Sequence, residues 1–161
     1  MSALTRGKRV NVRMNPSGSQ DRPAVDIALL IVRVAVGIIL VAHGAQKLFG
    51  AFGGQGLAAT VAGLGPIGYP VAIGEFFGGA GLIVGFLCRF SAASNIIMLG
   101  AIAMVHGKNG FFQSAGGFEY NLALIGLLLP TLIAGPGKFA IGRLLPLPKV
   151  AGTNRPIMVF E

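Results

Sequence analysis

The sequence has few charged residues: Asp, Glu, Lys and Arg make up 11% of its 161 residues, whereas average soluble domains carry about 25%. It has no Trp, and its mean hydropathy is +0.75. A soluble fold of this size needs a charged surface, which this chain cannot supply. The composition therefore excludes a soluble globular enzyme and a disordered tail, and it predicts an integral membrane protein.

The sequence has one cysteine, Cys88. A single thiol excludes an internal disulfide, a CxxC redox pair and a cage of thiolate ligands for a metal. We interpret Cys88 as a small apolar residue that fills space at a helix end. The two histidines, His43 and His106, do not have metal-ligand spacing, so no metal is expected.

Acidic residues are also scarce, at 5 against 13 basic ones, and the isoelectric point is near 10.6. The basic residues are not interleaved with aromatic residues, as a nucleic-acid surface requires, so no nucleic-acid partner is expected. Most of them lie in the terminal segments, a pattern typical of cytoplasmic flanks held by anionic lipid. These terminal basic residues are Arg6, Lys8, Arg9, Arg13, Arg22, Lys138, Arg143, Lys149 and Arg155.

Long apolar stretches are abundant, and four of them approach the roughly 20 residues that a bilayer core about 30 Å thick requires. They predict an all-α fold, a four-helix transmembrane bundle with up-down-up-down topology. The segment LAATVAGL between the first two predicts a short interfacial helix, and Cys88-Arg89 predicts a tight turn. The predicted spans are residues 26–49, 66–87, 90–106 and 118–134.

The basic residues also predict the orientation. With both ends inside, the nine terminal basic residues and Arg89 lie on the cytoplasmic side, ten in all. Arg33 lies within the first span, and only Lys47 and Lys108 lie outside. We therefore expect a basic cytoplasmic amino-terminal tail (1–25), a membrane domain (26–135) and a basic cytoplasmic carboxyl-terminal tail (136–161). The lipid bilayer is the first expected partner.

Glycine is plentiful, with 26 residues. In the second predicted helix, glycines recur at spacings of four, three and four residues, which places them on one stripe. We expect this stripe to let a neighbouring backbone approach closely, as small residues do in membranes. Gly37 and Gly44 are expected to act likewise in the first helix. The stripe consists of Gly74, Gly78, Gly81 and Gly85.

Ionisable residues inside the predicted spans need a partner or a task, because a charge in hydrocarbon is costly. Arg33 and Lys47 share one face of the first helix with glycines, which indicates that this face lies inside the bundle. Glu75 is expected at a depth between Arg33 and His43, either protonated or paired with one of them. The predicted polar site, opening outward, consists of Arg33, His43, Lys47, Glu75, His106, Glu119 and Tyr120.

Structural roles stay open for several of these residues. Arg33 also fits a side chain that reaches the inner headgroups, and Lys47 fits an interfacial anchor. Tyr120 fits an aromatic belt at the headgroup level, and Glu75 fits a purely structural ion pair.

Four segments resemble the DoxX family of small bacterial four-helix membrane proteins, and the resemblance extends over residues 26–145. The family often has Ser-Leu-Asp after the last of these segments, where this chain has Ala140-Ile141-Gly142. Any role of that acidic group is therefore absent here. The segments are RVAVGIILVAHGAQKLFG (33–50), EFFGGAGLIVGFLCR (75–89), GFEYNL (117–122) and GPGKF (135–139), and the apolar helix with His106 matches as well.

The resemblance implies a multi-pass protein of the bacterial inner membrane. The family is named after a subunit associated with quinone-reducing thiosulfate oxidation, and other members resemble membrane partners of redox or detoxifying enzymes. The resemblance supplies no established catalytic residues. The positions that match the family are Arg33, His43, Lys47, Glu75 and Tyr120.

Three functions stay open at this point. The first is a redox-associated subunit that binds quinone in the outer half of the bundle and receives electrons from a protein partner, since the sequence has no haem, flavin or iron–sulfur motif. The alternative is a non-catalytic accessory or scaffold subunit of a larger membrane complex, and the third is a small proton-linked transporter. The sequence has no autonomous catalytic motif.

Overall fold

The computed structural model describes residues 23–145 and residue 151, and this part of the chain is helical without any strand. Short 3-10 turns lie in the connections between the α-helices. Most of the two predicted basic tails lies outside the described residues. The α-helices are α1 (Pro23–Phe49), α2 (Gly56–Leu64), α3 (Gly68–Val84), α4 (Cys88–His106) and α5 (Glu119–Ala134).

The longer helices α1, α3, α4 and α5 lie within three residues of the ranges predicted as spans, and α2 confirms the short helix predicted at LAATVAGL. Three helical stretches are long and apolar enough to cross a membrane: Pro23–Phe49, Ala51–Val84 and Cys88–Asn109. Helix α5 is apolar but has only 16 residues. Its crossing of the membrane, and the cytoplasmic location of both ends, stay predictions.

The four longer helices form a ring in which α1 packs against α3 and α5, and α4 packs against the same two helices. Helices α1 and α3 are antiparallel, because Lys47 near the end of α1 meets Glu75 in the first half of α3, while Arg33 meets Leu82 near the end of α3. The interior of the ring is a single apolar core. Its buried members include Val36, Leu40, Leu82, Cys88, Ala92, Leu99, Leu124 and Leu128.

The closest approach in the bundle is between α1 and α3. A Cβ added to Gly37 would lie 2.8 Å from the carbonyl oxygen of Gly79, and one added to Gly79 would lie 2.7 Å from the carbonyl oxygen of Gly37. Gly44 lies equally tightly against the backbone of Phe76. The face of α1 that carries these glycines is therefore inside the bundle, as predicted, and it lies against Gly79 and Phe76 of α3.

The predicted glycine stripe of α3 faces α4 instead. A Cβ on Gly78 would lie 2.5 Å from the side-chain amide nitrogen of Asn95, and one on Gly81 would lie 3.1 Å from the hydroxyl of Ser91. At Gly78 and Gly81 the expected approach of a neighbouring backbone is wrong, because polar side chains of α4 occupy the space. At Gly85, the last member of the stripe, the expectation holds, since an added Cβ would lie 2.6 Å from the Cα atom of Ala140. At Gly74, the first member of the stripe, an added Cβ would meet nothing within 4 Å.

The turn between α3 and α4 precedes the predicted position. It is made by residues 85–87, where Gly85 (φ 81°) ends α3 in the left-handed conformation that glycine adopts easily. Cys88 and Arg89 already belong to α4, so the expected Cys88-Arg89 turn is wrong. Cys88 is completely buried in the core, which confirms that it fills space at a helix end.

The chain after α5 folds back onto the bundle. The N–H of Gly142 donates to the carbonyl of Gly85 at 3.0 Å, and the N–H of Lys138 donates to Oδ1 of Asp26 at 2.9 Å. Pro136 and Ala140 are buried. Residues 136–145 are therefore part of the packed domain rather than the start of a tail, because their backbone groups bond the ends of α1 and α3.

We predict that Gly79→Ala lowers the melting temperature of the protein in detergent, because the new methyl group would force α1 and α3 apart at a cost of about 1–3 kcal/mol. Gly100→Ala in α4 is the matched control, since its added Cβ meets nothing within 4 Å. This control should melt at or above the wild-type temperature, because alanine favours a helix over glycine by about 1 kcal/mol. Equal melting temperatures for the two variants would contradict the close α1–α3 contact.

Candidate functional site

A polar cavity of about 310 Å³ lies at the end of the bundle where α1 and α4 finish and α5 begins. This is the end away from Pro23 and from residues 136–145. All five α-helices contribute to its wall, and one residue of the loop before α5 joins them. The lining residues are Leu40, His43, Lys47, Leu64, Val71, Glu75, Leu99, Ile102, His106, Gln113, Tyr120, Asn121 and Leu124.

An ion pair between Lys47 and Glu75 joins α1 to α3 at this cavity. The ammonium nitrogen of Lys47 lies 2.6 Å from Oε2 of Glu75, and the two side chains are 25% and 4% exposed. The close contact of Gly44 with the backbone of Phe76 brings these residues to the same level. Since a buried carboxylate needs a partner, the pair explains how Glu75 is accommodated within the apolar bundle.

A second polar pair joins α1 to α5 across the same cavity. Nε2 of His43 lies 3.2 Å from the hydroxyl oxygen of Tyr120, and the two rings lie with their centroids 5.8 Å apart. The tautomer of His43 sets which of the two groups donates. Either way, one hydrogen bond links an imidazole and a phenol that can both exchange protons.

His106 and Asn121 complete the polar part of the wall. The Nδ1 atom of His106 is buried, and no side chain or backbone group among the described residues bonds it. Asn121 is 6% exposed on α5, one residue after Tyr120. A buried polar atom without a partner is costly, and the His106 side chain bears that cost at the wall of the cavity.

Arg33 does not belong to this cavity. It lies 14 residues before Lys47 on α1, about 21 Å away at 1.5 Å per residue. Its NH1 group donates to the carbonyls of Leu82 (2.6 Å) and Ile83 (2.8 Å), and its NH2 group donates to the carbonyl of Phe139. The guanidinium thus binds carbonyls at the end of α3 that have no partner within the helix, where the helix dipole also favours a cation.

The expected pairing of Glu75 with Arg33 or His43 is therefore wrong. In an antiparallel pair, the residue of α3 that lies beside Arg33 is Leu82, and Glu75 lies one turn beyond His43, beside Lys47. Glu119 also lies outside the cavity wall. Its carboxylate accepts a hydrogen bond of 3.0 Å from the N–H of Gln113 at an exposed position, which holds the loop before α5.

The structure thus brings together five of the seven predicted site residues and adds two. Gln113 and Asn121 are neutral amides, so the cost of burying a charge does not point to them. The sequence feature that indicates Asn121 is its position within GFEYNL, where a polar amide comes directly after Tyr120 at the start of an apolar helix. The five that lie together are His43, Lys47, Glu75, His106 and Tyr120.

The cavity suits an uncharged polar ligand. Its one ammonium group and its one carboxylate neutralise each other, so neither a free anion nor a free cation finds an unpaired opposite charge here. Hydroxyl, imidazole and amide groups remain to donate or accept hydrogen bonds. Among the described residues, no group of three or more His, Cys, Asp or Glu side chains is arranged to hold a metal ion.

Comparison with known proteins supports a single family. The family model DoxX matches residues 28–107. A protein of Bacillus subtilis (strain 168) named "Putative oxidoreductase CatD" is 32% identical over 111 residues, which cover 65% of this chain and 78% of that protein. "Inner membrane protein YqjF" of Escherichia coli (strain K12) is 30% identical over 122 residues, which cover 74% of this chain and 93% of that protein. The chain belongs to the DoxX family.

As a DoxX protein with several helices able to span a bilayer, the chain is a multi-pass protein of the bacterial inner membrane, which confirms the predicted location. No solved structure matches it. The matched range ends at α4, so the DoxX model covers His43, Lys47, Glu75 and His106 but not α5. The cavity of this DoxX protein is therefore completed by residues beyond the matched segment.

We predict that Lys47→Met destabilises the protein more than Glu75→Gln does. Lys47→Met leaves a carboxylate that is 4% exposed without a partner, and breaking a buried pair costs about 3–5 kcal/mol. Glu75→Gln leaves a lysine that is already a quarter exposed and can reach water. The measurement is the melting temperature of both variants in the same detergent.

The double variant Lys47→Met/Glu75→Gln is the control for this prediction. It removes both charges, so it should recover most of the stability that Lys47→Met loses. Strictly additive effects of the two substitutions would contradict a direct ion pair.

Proposed function

We propose that this DoxX protein is a redox-associated membrane subunit that binds a quinone in the polar cavity. The observation that carries the proposal is the combination, inside an apolar bundle, of the His43–Tyr120 hydrogen bond and the neutralised Lys47–Glu75 pair. The name of the Bacillus subtilis relative, "Putative oxidoreductase CatD", supports a redox role. With both ends cytoplasmic, as predicted, the cavity lies in the outer half of the membrane.

A quinone ring fits the chemistry of this cavity. The ring is flat and uncharged, and its carbonyl oxygens accept hydrogen bonds, which Tyr120, His43 and Asn121 can donate from α1 and α5. The volume of about 310 Å³ lies at the lower end of the range of about 300–1,000 Å³ found for ligand pockets. It therefore suits the head ring of such a molecule rather than a large cofactor.

The residues of the cavity can also supply protons. A bound quinone is reduced to quinol by two electrons and two protons, and the electrons come from a protein partner in this proposal. The His43–Tyr120 bond holds a proton between Nε2 and the phenol oxygen, next to the cavity. The Lys47–Glu75 ion pair, one turn further along α1, joins the same cavity wall to α3.

We predict that Tyr120→Phe weakens quinone binding about tenfold, the upper part of the range expected when a hydrogen bond worth about 0.5–1.5 kcal/mol is lost. Tyr69→Phe is the matched control, because Tyr69 is half exposed and does not line the cavity. The measurement is the affinity of the purified protein, in lipid nanodiscs, for benzoquinones and naphthoquinones without a long tail.

His43→Ala should weaken the same ligands, whereas Glu119→Gln should not, since Glu119 lies outside the cavity wall. Unchanged affinity in both Tyr120→Phe and His43→Ala would contradict quinone binding at this site. If the wild-type protein binds no quinone but is purified in a stable complex with another protein, the accessory or scaffold function replaces the proposal.

A further inference from the structure

An apolar groove of about 400 Å³ lies on the side of the bundle, between the first half of α3 and the second half of α4. Its wall is formed almost entirely by carbon atoms, for example those of Pro70, Met98 and Ala101. Ile97 and Val105 line it and are 73% and 62% exposed, so the groove opens toward the surroundings of the bundle. In a membrane these surroundings are lipid chains.

The groove and the polar cavity share part of their walls. Leu64 at the end of α2, Val71 on α3 and Ile102 on α4 line both spaces. Three apolar side chains thus lie between the polar cavity and the lipid-facing groove. Leu64 is 48% exposed and belongs to a nine-residue helix, so it is the least enclosed of the three.

The seam between α3 and α4 is open at this end of the bundle. Toward the other end, Gly78 and Gly81 lie against the side chains of Asn95 and Ser91. At Gly74, which lines the groove, an added Cβ would meet nothing within 4 Å. The seam between α1 and α3 is closed by the contact of Gly37 with Gly79.

We propose that the groove holds the isoprenoid tail of a quinone whose ring lies in the polar cavity, and that the tail passes between Leu64 and Ile102. This inference rests on the proposed function and deepens it, because it assigns the ligand to the class of long-tailed membrane quinones. A ring drawn from the bilayer brings its tail with it, and the tail needs an apolar path back to the lipid. The groove provides a carbon-lined path that adjoins the cavity.

The tail gains little free energy by moving from lipid into the groove, since lipid chains are as apolar as leucine side chains. The decisive test is therefore a variant in which a larger side chain occupies the groove, rather than a comparison of quinones with different tails in the wild-type protein. Gly74→Leu places a side chain into the groove from α3, and Ala101→Phe does so from α4. Gly126→Leu on α5 is the matched control, because its added Cβ also meets nothing within 4 Å and Gly126 lines neither space.

The affinities of two quinones with the same ring, one with a long isoprenoid tail and one with a methyl group instead, are measured for each variant in nanodiscs of one lipid composition. We expect Gly74→Leu and Ala101→Phe to weaken the long-tailed quinone at least tenfold and to leave the tail-less one unchanged. Gly126→Leu should change neither, and it also reports any difference in partitioning of the long-tailed quinone into the lipid.

Equal affinities of the long-tailed quinone for the wild type and both groove variants would overturn the tail assignment and leave the groove to bulk lipid. Loss of both quinones in the two groove variants would also overturn it, because the substitutions would then act on the ring in the cavity. If the wild-type protein binds neither quinone, the proposed function itself fails. The tail-less quinone thus separates failure of the tail assignment from failure of quinone binding.

Discussion

The close contact of α1 with α3 is the constraint on which the other features of this membrane domain depend. Gly37 and Gly79 let the two backbones meet, and Gly44 does the same one level higher against Phe76. In lipid, such contact relies on van der Waals packing, which falls off steeply with distance. Because the contact is made at glycines, it also sets how far the helices slide along each other. That setting decides which polar residues of α1 and α3 become partners.

The two ends of the bundle use their charges for different purposes. At the end near Pro23, Arg33 binds three carbonyl groups, so a buried cation stabilises the termination of α3 and holds the chain after α5. At the other end, Lys47 and Glu75 neutralise each other beside an open cavity. A charge that is surrounded by backbone carbonyls has no room for a ligand, whereas a charge pair at a cavity wall does. The polar residues that line the cavity therefore lie together at the end away from Pro23.

Much of this arrangement follows from the sequence, and the remainder needed the contact between helices. The periodicity of α1 was sufficient to place Arg33, Gly37 and Gly44 on its inner face, since that depends on one helix alone. The pairing of Lys47 with Glu75 depends on how α1 and α3 are aligned. That alignment is fixed by the contact of Gly37 with Gly79, which the sequence of either helix alone does not reveal. Asn121 is uncharged, so the cost of burying a charge does not distinguish it from its apolar neighbours in the sequence. Local patterns thus predicted the elements, and the partners between elements required the fold.

The return of residues 136–145 to the bundle has a consequence for how the protein is made. Arg33 is synthesised early, yet one of its three acceptors is the carbonyl of Phe139, more than a hundred residues later. Gly85 likewise bonds the N–H of Gly142. The ribosome must therefore release the chain through Gly142 before this end of α1 and α3 is complete. Until then the guanidinium group of Arg33 lies in the nascent bundle without its hydrogen bond to Phe139. A chain that is truncated directly after α5 never forms this bond.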